Sequence, residues 1–474
     1  MHNIPLLQTE IRQHQLDGIA VIEKFGGRAL VADQQGVGKS LTALGYIFKH
    51  NLFPAVIVTP ASLKLNWVGE IRRHFPEKNP ATIKVLSGTK PSGLDIGEQN
   101  PENGRIYIIN YDILCYWESV FTAMKPKIIV CDESAALKNP TARRTKTMLK
   151  LAHHCDKFLT MTGTPVQNNP LEIYPSIHMI FNGNCMTYNQ FRSRYCYMQP
   201  RRFGRKQAYV YLGPKNLPEL NQLLNEKCML RRKASEVLSL PPYTRSTILY
   251  EMTPSQQKEY NKMEYDFLNW LSETYPDRNL PQSEFALLLT RCGYLKRECA
   301  KWKIPAILDW VDSFLENNPD EKLLIFGHHK IMINSVLEYY QKKKIGIVSI
   351  TGETKMEDRA LAVERIQTDP KTRLFIGNIQ AAGTGLTMTR AAYTLFIELD
   401  FVPANHLQAE CRNYRLSQEN PVFWYYMIVA NSIESHIASV LLERKTEMFE
   451  NLVDGNFGQN EMFSLLKKYV KGLA

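Results

Sequence analysis

At 474 residues, with 44% hydrophobic and 22% charged, the chain is long enough for two or three domains with their own cores, and its composition excludes a disordered or fibrous protein. Nine scattered cysteines without a Cys-x-x-Cys pair signal neither a disulfide framework nor a zinc cluster, and no run approaches the ~18 apolar residues of a membrane span. A formal charge of +11 favours a polyanionic partner without implying sequence recognition.

Met1 to Gln15 carries no apolar core of a signal peptide. The expectation is a soluble protein of a reducing compartment: cytoplasmic, nucleoid-associated in a bacterial or viral source, nuclear in a eukaryotic one. No membrane partner is expected.

Up to about residue 182, short apolar runs alternate with helical stretches: Ala29 to Ala32, Ala55 to Thr59, Ile106 to Asn110, Lys127 to Cys131 and Phe158 to Thr162. Buried strands separated by helices predict a parallel sheet covered on both faces, with ligands at the carboxyl ends of its strands.

The first run leads into Asp33-Gln34-Gln35-Gly36-Val37-Gly38-Lys39-Ser40 and a helical Leu41 to Leu44. Gly36 and Gly38 let backbone N–H groups turn toward phosphate oxygens. Lys39 supplies a point charge, and the Ser40 hydroxyl is placed to hold Mg²⁺. Asp33 stands where this loop usually has a glycine, so an ordinary glycine-rich turn would read the same. A second site tips the balance, because the run Lys127 to Cys131 ends in Asp132-Glu133. Asp132 there suits Mg²⁺ and Glu133 the attacking water. Thr162-Gly163-Thr164-Pro165 follows the next run and offers hydroxyls to sense a γ-phosphate.

The stretch Lys138 to Lys150 is basic and free of acids, and suits contact with a nucleic-acid backbone. No acidic residue lies between Glu172 and Glu219, where Arg192, Arg194, Arg201, Arg202, Arg205 and Lys206 interleave with Tyr195, Tyr197, Phe203, Tyr209 and Tyr211. Guanidinium groups neutralise phosphates and aromatic rings stack on bases. A basic hairpin packed on its own aromatics reads equally well.

From 183 to 320 the pattern predicts mostly helical insertions, with amphipathic segments Leu217 to Ser235 and Ser255 to Glu273 and a break at Leu240-Pro241-Pro242. Strands return at Lys322 to Phe326, Gly346 to Ile350, Arg373 to Gly377, Tyr393 to Leu399 and Val422 to Ile428. The expected division is therefore 1–182, an ATP-binding α/β lobe; 183–320, insertions and linker; 321–445, a second α/β lobe; and 446–474, a helical tail that packs back or binds a protein partner.

Arg412 and Arg415 are three apart on a predicted helix and so share a face. An arginine reaching a transferring phosphoryl group is worth ~10³–10⁵ in rate; a solvated basic face has the same spacing.

The order of these elements resembles superfamily 2 helicases. It runs from Gln15 in Arg12 to Gly18 through the phosphate loop, Thr59-Pro60, Asp132-Glu133, Gly163-Thr164-Pro165 and Gly383-Thr384-Gly385-Leu386-Thr387 to Gln408 through Gln418. Met229-Leu230-Arg231-Arg232-Lys233, Leu240-Pro241-Pro242 and the Arg-x-x-Arg-x-x-Gln ending are similar to Swi/Snf-type ATPases. Asp132-Glu133-Ser134, Leu137-Lys138-Asn139 and His328-His329-Lys330 point to their fork-remodelling, strand-annealing branch. The similarity covers about residues 6 to 445.

The resemblance implies two RecA-like lobes of the phosphate-loop NTPase class. It implies ATP and Mg²⁺ as ligands, with Gln15 on adenine, and Gly36, Gly38, Lys39, Ser40 and Gly385 around the nucleotide. Asp132 and Glu133 would carry hydrolysis, Ser40 and Asp132 the metal, and Gln408, Arg412 and Arg415 the γ-phosphate side. Thr59, Pro60, Asn110, Tyr111, Lys138, Leu386 and Thr387 would line the nucleic-acid groove. The expected activity is that of a monomeric, ATP-dependent translocase on duplex or branched DNA with weak sequence preference, remodelling by fork regression, branch migration or annealing. The alternatives are a strand-separating helicase with a pin near Tyr209, a remodeller of protein–DNA complexes, and a DNA-binding scaffold. Three departures from the family stand out: Gln34-Gln35 for Glu-Met, Ala135 for histidine, and Ser417 for glycine.

Overall fold

The computed structural model describes residues 4–75, 83–91, 105–166, 169–203, 206–274, 285–382, 386–400, 403–435 and 438. The chain divides into two compact units. Among the described residues, the first runs to Met198 and resumes over Leu212–Leu238, and the second takes Gln199–Tyr211 and those from Ser239 on.

In the first unit, β1 (Arg28–Val31), β2 (Ala55–Thr59), β3 (Ile83–Val85), β4 (Ile106–Asn110), β5 (Ile128–Asp132) and β6 (Lys157–Met161) form one sheet. After a two-stranded hairpin, β7 (Cys196–Phe203) and β8 (Lys206–Pro214), a seventh strand joins that sheet as β9 (Met229–Leu230). The order is β3-β4-β2-β5-β6-β1-β9, parallel throughout. Parallel neighbours need long crossovers, and helices α1 (Gln13–Lys24), α2 (Lys39–Lys49) and α3 (Lys64–His74) flank them. Alternate residues of β2 enter separate cores, Val56 and Val58 on one face and Ala55 and Ile57 on the other. This two-sided burial explains why the strands read as unbroken apolar runs. Each large side chain so buried is worth about 1.5–3 kcal/mol.

The second unit repeats the plan. Strands β10 (Tyr243–Tyr250), β11 (Leu323–Gly327), β12 (Gly346–Ile350), β13 (Thr372–Asn378), β14 (Tyr393–Phe396) and β15 (Val422–Val429) pair in the order β10-β15-β14-β11-β13-β12, again all parallel. Leu324 and Phe326 of β11 face one core, Leu323 and Ile325 the other. Two parallel-sheet α/β lobes are the architecture the sequence implies.

Within the stretch 183–320 the chain passes from one unit to the other after Leu238. The stretch is not only helical. The run Leu217 to Ser235 breaks at Lys227, and Met229–Leu230 pair with Leu30 and Val31. Tyr243–Tyr250, after the proline pair, becomes the edge strand beside β15. Two apolar residues at a sheet edge fit a helical period as well as an extended one, which hid β9. The tail 446–474 lies outside the described residues. No helix among the described residues is long and apolar enough to cross a membrane.

Candidate nucleotide site

The phosphate loop connects β1 to α2 within the first unit. Gly36 and Gly38 take φ of 86° and 95°, the left-handed region that glycine enters without strain. A Cβ on Gly38 would strike Nε2 of Gln15, so the proposed adenine contact packs directly on the loop. Gln15 is buried, and its Oε1 accepts the Arg12 backbone N–H at 3.0 Å. The Lys39 ammonium donates to the carbonyls of Asp33 at 2.8 Å and Gln34 at 3.2 Å. Burial lowers its pKa, while the negative charges of Glu133, Asp33 and Asp132 oppose that shift. A cation held by loop carbonyls at a helix N-terminus, beside turned glycines, is chemically matched to phosphate oxygens.

Asp132 ends β5 opposite this loop. Its Oδ2 accepts the Trp67 indole N–H at 2.8 Å and the Thr59 hydroxyl at 3.3 Å, and its Oδ1 accepts the Glu133 N–H at 3.0 Å. Burial pushes its carboxyl pKa up, against the pull of these donors and of Lys39. Glu133 sits at φ 47°, a conformation that costs a non-glycine residue about 1 kcal/mol or more. Such strain at the tip of a strand turns its side chain out of the sheet's regular alternation. Among the described residues no group of three or more His, Cys, Asp or Glu is placed to hold a metal. A single carboxylate with the Ser40 hydroxyl would offer a sparse oxygen set, the kind that suits Mg²⁺ keeping most of its waters.

Thr162 Oγ1 accepts the Thr164 N–H at 3.1 Å, which tightens the turn at Gly163. A Cβ on Gly163 would lie 2.8 Å from Gln35 Cγ. Gln35 Oε1 is buried there with no hydrogen-bond partner among the described residues.

In the second unit the arginine pair departs from the expected helix, which spans Pro403–Glu410 and ends before either arginine. Asn413 is the reason: buried, it donates to Thr394 Oγ1 at 3.1 Å and accepts the Trp424 indole N–H at 3.2 Å. These bonds draw the backbone into turns. The arginines still share a direction. Arg412 Nε donates to Gln408 O at 2.7 Å and Arg415 Nε to Cys411 O at 2.9 Å. Their Nη1 atoms reach neighbouring residues, Leu386 O at 3.0 Å and Thr387 Oγ1 at 2.8 Å. Arg412 is 3% exposed. Gly385 lies outside the described residues.

The residues expected in a nucleic-acid groove fall into two groups. Thr59, Asn110 and Tyr111 are buried. Thr59 bonds to Asp132, the Tyr111 hydroxyl donates to Asp132 O at 2.6 Å, and Asn110 Oδ1 accepts from the Lys64 ammonium at 3.3 Å. Thr59 thus holds the Asp132 carboxylate and Tyr111 its backbone carbonyl, while Asn110 bonds Lys64 instead. Pro60, Lys138, Arg192 and Arg194 are more accessible. Lys138 pairs with Glu172 at 3.5 Å and Arg194 with Glu219 at 2.6 Å, so the acids bounding the acid-free stretches return in space. Tyr195 is buried, whereas Tyr197 and Tyr209 on the hairpin are 57% and 50% exposed. The side chains of Arg201, Arg202 and Lys206, and the whole of Arg205, lie outside the described residues.

Residues 14–299 match the SNF2-related domain and residues 303–417 the helicase conserved C-terminal domain. The chain belongs to the SNF2-related family. Among its relatives is the mouse (Mus musculus) DNA annealing helicase and endonuclease ZRANB3, 32% identical over 95% of this chain and 41% of that protein. Another is the Drosophila melanogaster SWI/SNF-related matrix-associated actin-dependent regulator of chromatin subfamily A-like protein 1, 28% identical over 96% of this chain and 57% of that protein. The chain thus spans less than two thirds of these relatives. The Sulfolobus solfataricus SWI2/SNF2 ATPase core solved in complex with dsDNA aligns over 98% of both chains at 19% identity, with a TM-score of 0.43.

Against this SNF2 background, two of the three departures have visible partners. Gln34 Oε1 accepts the Ala234 N–H at 2.7 Å, and the Ser417 hydroxyl meets that of Thr389 at 2.9 Å. Ala135 lies in the 3₁₀ turn Ser134–Leu137, and nothing in the structure explains the loss of a histidine there. Trp67 escaped the sequence reading altogether, because a tryptophan in an amphipathic helix reads as core.

Proposed function

We propose that this chain is an ATP-dependent double-stranded DNA translocase that remodels branched DNA by fork regression, branch migration or strand annealing. The observation that carries the reading is the braced pair Asp132-Glu133 in the same unit as a glycine-turned loop bearing a desolvated Lys39. The annealing-helicase relatives support the choice of DNA and of branched substrates.

On nucleotide binding, the Lys39 ammonium exchanges the Asp33 and Gln34 carbonyls for β- and γ-phosphate oxygens. Gln15 fixes the adenine against Gly38. Ser40 and Asp132 would hold Mg²⁺, which would neutralise phosphate charge. Trp67, Thr59 and the Glu133 N–H aim the Asp132 carboxylate and oppose the upward pull of burial on its pKa, and Glu133 orients the attacking water and accepts its proton. Arg412 holds the Leu386 carbonyl, and Arg415, with Gln408, serves the γ-phosphate side. Leu386 and Thr387, bonded to these arginines, would pass nucleotide state to the nucleic-acid contact. Pro60, Lys138, Arg192, Arg194, Arg201, Arg202, Arg205 and Lys206 supply backbone contacts, which position rather than specify.

ATP turnover measured with forked DNA, duplex, single-stranded DNA and RNA tests this. Forked and duplex DNA stimulate most; stimulation by RNA alone overturns the assignment. The exposed Tyr197 and Tyr209 favour a second reading, a helicase that uses the hairpin as a separating pin. Unwinding of a simple tailed duplex without annealing activity would select it.

A further inference from the structure

The paired arginines of Met229-Leu230-Arg231-Arg232-Lys233 enclose the phosphate loop of the site. The backbone begins the contact. Pairing of β9 with β1 continues beyond both strands, with Ala32 N donating to Leu230 O at 2.8 Å and Gln34 N to Arg232 O at 2.9 Å. Arg231 Nη1 donates to Ala32 O at 2.6 Å and to Gly163 O at 3.3 Å, joining the root of the loop to the hydroxyl turn. Arg232 grips Asp33 with two nitrogens, Nε to Oδ1 at 3.1 Å and Nη2 to Oδ2, while its Nη1 donates to the carbonyl of His14, the neighbour of Gln15. Room for this grip depends on Gly18 of α1, where a Cβ would come within 2.9 Å of Arg232 Nη2.

Asp33 therefore faces two ways. Its carbonyl holds the Lys39 ammonium, and its carboxylate, 0% exposed, holds Arg232. When the lysine leaves that carbonyl for a phosphate, the carboxylate stays anchored, so a shift of the loop is felt at Arg232. The next residues, through Gln34 Oε1 on the Ala234 N–H, are tied to the same loop. Four residues beyond Ala234 the chain leaves the first unit, after Leu238.

We propose that Arg232, seated on Asp33, is a positioning residue of the nucleotide site that sets the resting shape of the phosphate loop and passes its occupancy to residues 233–238. The inference rests on the ATP-site reading above. A bidentate pair between a fully buried carboxylate and a guanidinium fixes orientation as well as charge, and a lysine cannot reproduce it.

The test is steady-state ATP hydrolysis by the full chain carrying Asp33→Asn, Arg232→Ala or Arg232→Lys, with thermal unfolding to check folding. Asp33→Asn and Arg232→Ala raise KM for ATP about tenfold or more while kcat at saturation stays within about threefold, and Arg232→Lys falls between, because the groups that meet phosphate remain. A KM change of less than about fivefold in Asp33→Asn, or a kcat loss at constant KM, overturns the proposal; the near-isosteric Asp33→Asn decides if Arg232→Ala does not fold. Amide exchange supplies a second readout: ADP slows exchange over 233–238 in the wild type and not in Asp33→Asn, and equal slowing in both contradicts the relay. Lys39→Ala separates the two readings. Wild-type turnover in Lys39→Ala sinks the ATP site itself, whereas an inactive Lys39→Ala beside an unchanged KM in Asp33→Asn sinks only the role of Arg232.

Discussion

Trp67 donates its indole N–H to Oδ2 of Asp132 at 2.8 Å, across 65 residues of sequence. Helix α3 thus supplies one of three donors that aim the carboxylate. Partners of this kind are commonly worth about 10–100-fold in metal affinity or activity. Trp67→Phe keeps most of the packing and removes the donor. The expected outcome is a loss of turnover in that range and a higher Mg²⁺ concentration for half-maximal thermal stabilisation with ADP. An unchanged Mg²⁺ requirement would show that the indole only packs.

Asp132 has a stability consequence with a definite sign. Burial raises its pKa above the ordinary carboxylate value. The stability this group contributes is then fully present below its unfolded pKa and is lost as pH rises through the folded one. At neutral pH, without a divalent cation, burial of this carboxyl is a cost. Asp132→Asn is expected to abolish turnover while unfolding at the same or a higher temperature than wild type in EDTA. A clear drop in unfolding temperature would contradict this.

His328 works in the opposite direction. Burial lowers its pKa, with the Lys296 ammonium adding to the shift; Asp400, whose Oδ2 lies 3.7 Å from Nδ1, opposes it, His329 lowers and Glu398 raises. Such a group stabilises the fold above its unfolded pKa, and that stability is lost as pH falls below about 6.5 toward the folded pKa. Calorimetric unfolding followed from pH 7 to pH 5 should show the second unit losing stability, and His328→Gln should flatten the dependence. Parallel curves for the two proteins would remove His328 as the cause.

Arg245 and Glu410 form the ion pair on which the arginine turns rest. Nε and Nη2 of Arg245 donate to the two Glu410 oxygens at 3.0 and 2.9 Å, and the guanidinium lies 4.8 Å from the ring centroids of Tyr243 and Trp424. Glu410 is 2% exposed and also accepts the Tyr426 hydroxyl. Removing one member leaves a buried charge alone, at a cost of about 3–5 kcal/mol. Arg245→Ala should lower urea-unfolding stability by that amount; a loss below about 1 kcal/mol, the worth of an exposed pair, would show the pair to be solvated.

Most of both sheets was legible because central parallel strands are buried on two faces and so read as continuous apolar runs. Strand β3 was not, because Ile83–Val85 is a partly exposed edge with no such run. Phosphate-loop chemistry is local and could be read residue by residue. Its support could not. Arg232 and Asp33 are 199 residues apart, and no periodicity links them. Thr59 and Tyr111 lie at strand ends, where family resemblance suggests DNA, yet their hydroxyls turn inward to Asp132. Arg412 and Arg415 followed a helical spacing that Asn413 interrupts through side-chain bonds invisible in the local pattern.

ATP-driven movement along duplex DNA would displace a third strand laid across its path. A labelled oligonucleotide is bound as a triplex on a duplex flanking a fork, and its release is followed with and without ATP. The wild-type chain is expected to release it only with ATP, and Lys39→Ala and Arg415→Ala not at all, with DNA binding retained in both. Brisk DNA-stimulated hydrolysis without any release of the third strand would contradict such movement.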